Sequence, residues 1–98
     1  MRTKVSVRQS TRLDKRMMAD FQTKKIHFGA KNGSTFVDHQ DMKIKENWIK
    51  RHKVNSDFND FDSAGSLARY ILWNKSTLDA SIRDLNKRQK QYMFVLNI

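Results

Sequence analysis

Val5 and Val7 alternate with Lys4, Ser6 and Arg8 near the start of the chain, the period of an edge strand or an extended arm. Residues 16–21 (RMMADF) and 25–28 (KIHF) are two further short apolar runs separated by Gln22, Thr23 and Lys24, a spacing that predicts a β-hairpin. No glycine stands in that turn. Over residues 41–53 the period changes: Ile44, Trp48 and Ile49 recur on one side while Lys43, Lys45, Lys50, Arg51 and Lys53 surround the other, as in a short basic amphipathic helix. Its cationic last turn complements the helix dipole. Residues 64–88 predict two more helices: Ser63 caps the first, with Leu67, Tyr70 and Ile71 in register, and Ser76 with Asp79 has capping-box spacing ahead of Leu78, Ile82 and Leu85. The chain closes on an apolar run, residues 91–98 (QYMFVLNI).

Residues 29–34 (GAKNGS) carry two glycines and an Asn-Gly pair, which predicts a tight turn with positive φ. Phe58 and Phe61 stud an acidic loop and are expected to anchor it to the core. Trp73 is expected to bury against Trp48 or Phe28, with Asn74 ending its helix in the left-handed region and Lys75 facing the last carbonyls. The closing run has two readings. Tyr92, Phe94, Val95, Leu96 and Ile98 form either a last strand beside the N-terminal hairpin or a docking segment for a neighbour, because so apolar a segment aggregates if left bare. The expected fold is α+β: a small antiparallel sheet from the N-terminal half, joined on the first reading by the tail, packed against about three helices. The expected organisation is a basic arm over residues 1–13, one domain over 14–90 and the apolar tail over 91–98.

Ninety-eight residues suit one core. Proline and cysteine are absent, so disulfides and thiolate metal sites do not enter, and no segment reads as a signal peptide or a membrane helix. Charge changes the picture more. The formal net charge is +10, and residues 1–53 hold 14 of the 20 Lys and Arg against 5 of the 10 Asp and Glu. Such a field attracts nucleic acid, an acidic protein surface or, peripherally, an anionic membrane face.

No enzyme is expected. His27, His39 and His52 lack metal-ligand spacing, although Asp38, His39 and Asp41 lie close together, and His52 sits within the basic run KRHK. Asp57, Asp60 and Asp62 have no apolar pocket to separate their pKa values. The Ala64-Gly65-Ser66 context is not a nucleophile elbow, and the glycines match neither a P-loop nor a dinucleotide fingerprint. Phe21 and Phe28 could form a base-stacking platform if they lay on an open sheet face, though they fit a hairpin core equally well.

The blocks His27-Phe28-Gly29-Ala30-Lys31, Arg51-His52, Ala64-Gly65, Arg69, Ile71-Leu72-Trp73-Asn74-Lys75 and Ser81-Ile82 occur in an order that resembles a family of small basic proteins of large double-stranded DNA viruses and some algae. The likeness runs over residues 14–88. It implies a viral origin and a shared fold, and that family has no assigned catalysis or cofactor. The first expectation is therefore a virion structural protein, a minor capsid or cement protein on the inner shell, reaching the virion from the host cytoplasm. Its partners would be major and minor capsid proteins, with Arg2, Lys4, Arg8 and Arg12 as a partner-binding arm and the tail as a plug. The alternative is nucleic-acid binding by Lys24, Lys25, Lys31, Lys43, Lys45, Lys50, Arg51 and Lys53. Trp48, Trp73 and Asn74 are expected to be structural.

Overall fold

The computed structural model describes residues 2–54 and 58–98, and among these it holds one four-stranded sheet with helices on one face. Strands β1 (Thr3–Gln9), β2 (Lys15–Asp20) and β3 (Lys25–Ala30) form an antiparallel meander. Strand β4 (Tyr92–Leu96) returns beside β1 and runs parallel to it, giving the order β3-β2-β1-β4. The sheet is thus mixed, not purely antiparallel. A parallel neighbour needs a long crossover, and the whole helical segment between β3 and β4 supplies one.

The N-terminal residues are neither an arm nor an edge. β1 is an inner strand, bonded to β2 on one side and β4 on the other, and Val5 and Val7 are 0% exposed. Burying each valine stabilises by about 1.5–3 kcal/mol, and two ladders would break with them, so a detachable β1 is disfavoured by several kcal/mol. Alternation in the sequence shows which residues share a face. It does not show how many neighbours a strand has.

The helices are α1 (Phe36–His39), α2 (Met42–Lys53), α3 (Ala64–Leu67) running on into a π-helical turn (Ala68–Leu72), and α4 (Leu78–Arg88). Asp41 caps α2 by accepting from the N–H groups of Lys43 and Ile44, and Ser63 caps α3 through Ser66 N–H. The cap of α4 is Thr77, one residue after the expected Ser76, with its hydroxyl 3.1 Å from Ala80 N. In the π turn Trp73 N–H reaches back five residues to Ala68 O at 3.0 Å. Ile71 and Leu72 in this turn and Trp73 and Asn74 after it are all buried. Leu67, Ile71, Leu72, Ile82 and Leu85 meet Val5, Val7, Phe28 and Phe94 in the core.

Two turns depart from expectation. The hairpin turn without glycine places Gln22 at φ 76°, steadied by Asp20 Oδ1 accepting Gln22 N–H at 2.9 Å. In the 29–34 segment the positive φ falls on Gly29 (φ +79°), not on Asn32-Gly33. A Cβ built there lies 2.6 Å from Leu72 Cδ1, so glycine allows the π turn to press against β3.

The tail is the last strand. Its outer edge, which would template another chain, is filled by α4: Asn86 bonds both Phe94 N (2.8 Å) and Phe94 O (2.9 Å), and Gln89 bonds both Tyr92 N (2.7 Å) and Tyr92 O (2.8 Å). The two amides stand in for a fifth strand. Phe94 is buried, Tyr92, Val95 and Leu96 are half-buried, and only Ile98 of the expected plug is exposed.

Candidate nucleic-acid interface

The expected basic patch divides once folded. Lys24 pairs with Asp62 at 2.6 Å, and that bond raises its pKa. Lys45 is half-buried, donates to Asn74 O at 2.6 Å and lies 4.6 Å from the Phe36 ring. Burial, and then repulsion from Arg69, Lys75 and Arg88, pushes its pKa down. Lys45 is thus built into the fold, and the charge of Lys24 is partnered. Lys31 is exposed and borders a hollow with Gln9 and Arg16, and Lys25 lies on the uncovered sheet face.

Lys43, Lys50, Arg51 and Lys53 remain together. All four are exposed on α2, Glu46 is the one carboxylate of that helix, and among the described residues none of the four forms an ion pair. Elsewhere the carboxylates are largely spent. Asp14, Asp20, Asp38, Asp62, Asp79 and Asp84 are each bonded to a cation, leaving the outside of α2 strongly positive.

The inner side of α2 is aromatic. Trp48 stacks on Trp73 (centroids 5.0 Å, planes 12° apart), and His52 stacks on Trp48 (4.0 Å, 18°). His52 Nδ1 is 2.9 Å from Trp48 O; a carbonyl only accepts, so this nitrogen carries the proton. Beside the stack lies a cleft of about 540 Å³ between α2, the turn after β3 and α3. Lys15, Arg51 and His52 line it, and Gly29, Ala30 and Gly65 keep it open by their small size.

Asn74 is buried and is not the expected left-handed cap. Its Nδ2 donates to Tyr70 O (3.2 Å) and to Asp84 Oδ2 (2.7 Å). The carbonyls at this helix end are covered by Lys45 and by Arg69, whose guanidinium is 2.8 Å from Trp73 O, rather than by Lys75. Burial and the nearby Arg88 lower the Arg69 pKa. Burial opposes charge on Asp84, yet bonds from Arg88 and Asn74 together hold its pKa below the usual range.

The uncovered sheet face presents Lys4, Arg8 and Lys25 around Ser6, Asp20 and Asn97, with Arg2 reaching Met93. Arg8 pairs with Asp20, and Arg12 with Asp14 in the β1–β2 turn. Phe21 and Phe28 are 5% and 1% exposed in the core, so they form no stacking platform. Phe58 is buried, and Phe61 packs 5.5 Å from the Tyr70 ring.

Sequence reasoning missed two polar contacts. Ser10 Oγ, just after β1, lies 2.7 Å from His27 Nδ1 on β3, with no carboxylate on the far ring nitrogen among the described residues. Arg16 forms a two-pronged pair with Asp38, whose carboxylate also accepts Thr35 N–H at 2.8 Å. The Thr35-x-x-Asp38 spacing was a legible capping signal for the second. Among the described residues no three His, Cys, Asp or Glu side chains are placed to hold a metal, and no helix is long and apolar enough to cross a membrane. Asp57, one of the three clustered loop carboxylates, lies outside the described residues.

Residues 5–52 match the model of a family of unknown function, DUF5754. The match runs from within β1 through β2, β3 and α1 and ends one residue short of the end of α2, before Lys53. No curated protein and no solved structure matches the chain.

Proposed function

We propose that this protein is a non-enzymatic nucleic-acid-binding protein that grips phosphates with the outer face of α2. The observation that carries the reading is the set Lys43, Lys50, Arg51 and Lys53, exposed and, among the described residues, free of ion pairs on one helix that has Glu46 as its only carboxylate. Phosphate binding of this kind releases counterions. On duplex DNA the log–log salt slope falls by about 0.9 per phosphate neutralised. Fluorescence anisotropy of a labelled duplex across a salt series tests it: substituting Lys43, Lys50 and Lys53 together by Gln should flatten the slope by about 2.7. A salt-independent affinity, or a slope untouched by the triple substitution, would remove the reading.

A second reading, a minor capsid or cement protein of a large icosahedral DNA virus, is favoured by the uncovered sheet face. There Lys4, Arg8 and Lys25 surround a flat area that includes Met93, 39% exposed, a mixture suited to an acidic protein surface. Because β1 and β4 are sheet strands, contact would come from this rigid face and not from an arm or a plug. Fractionating purified virions through salt washes separates the two: retention with the shell at high salt supports the capsid role, and release with the genome supports nucleic-acid binding.

A further inference from the structure

We infer that the cleft beside α2 receives a base of single-stranded nucleic acid, stacked on His52. This rests on the phosphate-binding reading above and narrows its substrate from any polyanion to an unpaired strand.

The Trp73–Trp48–His52 stack ends at the surface. Trp48 covers one side of the His52 imidazole at 4.0 Å and 18°, the residue as a whole is exposed, and among the described residues no second ring stacks on it. The bond from Nδ1 to Trp48 O fixes the ring against its helix, and a stacking surface that is already ordered loses little freedom on binding. With Nδ1 committed to that carbonyl, Nε2 is the ring nitrogen left to meet a base edge.

The cleft is large enough, at about 540 Å³, for a group of nucleotide size, and small residues rather than a mobile lid create the space. Its charge suits the same guest. Arg51 lies next to His52 on α2 and Lys15 lines the cleft as well, so phosphates on either side of a stacked base would meet a cation. A paired base cannot enter, because its face is covered by its neighbours in the duplex.

Tryptophan fluorescence provides the readout, since Trp48 lies directly beneath His52. The full chain is titrated at low salt with an oligothymidylate, with an abasic oligonucleotide of equal length and with a duplex. The oligothymidylate should quench the emission and bind about fivefold or more tighter than the abasic strand. His52→Ala should bring the two single strands to the same affinity, and His52→Phe should restore the difference. Equal affinity of the two strands for the unaltered protein overturns the base site while leaving phosphate binding standing. Failure of all three ligands to bind overturns both, and a His52→Ala protein that still prefers bases places the stacking elsewhere.

Discussion

Replacing Asn86 by Leu keeps the side chain close to its original size and removes both bonds that α4 makes to the free edge of β4. Phe94 is only 2% exposed, so water reaches its backbone poorly once the amide is gone. An orphaned buried donor or acceptor costs about 1–3 kcal/mol, and two are orphaned here. Some rehydration at an edge is expected, which places the loss near the lower end, at about 2–3 kcal/mol. A domain of this length has about 5–15 kcal/mol in total. The thermal midpoint should drop by about 10 °C or more, at roughly 4–8 °C per kcal/mol. Calorimetry and urea titration measure the loss directly. The bare edge should also promote association, seen as light scattering that rises with protein concentration. A loss under about 0.5 kcal/mol with no concentration dependence would refute the view that the amide substitutes for a strand.

Gly29→Ala should destabilise by about 1–3 kcal/mol, because its φ of +79° disfavours a side chain and the added Cβ meets Leu72 Cδ1 at 2.6 Å; an unchanged urea midpoint would show that β3 and the π turn can separate freely. Asp38 is held well below the usual carboxylate range, chiefly by Arg16, with burial opposing and Thr35 assisting. A depressed folded pKa gives stability that is present above the unfolded value of about 4 and is lost as pH falls through the folded one. Asp38→Asn should therefore lower the urea midpoint at neutral pH and flatten its fall in acid, and parallel pH curves for the two proteins would contradict the pairing. Phosphate and base binding by α2 carry their own tests in the salt slope and the abasic comparison.

Much of the fold was legible because it is local. The hairpin strands and the extent of α2 follow from period and from short-range hydrogen bonding, which the chain carries within a few residues. For Trp73 the sequence left two partners, Trp48 and Phe28, and the fold stacks it on Trp48. Asn74 was expected as a structural residue at a helix end, but its link between Tyr70 and Asp84 was not legible, because Asp84 lies a helix away.

The sequence by itself determined the composition of each face: valines against cations on β1, tryptophan and isoleucine against lysines on α2, an uncharged closing strand. Periodicity is a property of neighbours in the chain, and nothing in the rest of the fold changes it. Tertiary structure alone decided that β1 lies inside the sheet, that β4 runs parallel to it, and that Asn86 and Gln89 bond the outer edge of β4. It also decided which lysines are free, by setting Asp62 against Lys24 and Asn74 O against Lys45 from 38 and 29 residues away. Strand order, edge protection and charge pairing all depend on groups distant in sequence, where only the packed chain fixes which of many equally charged or equally apolar partners meet.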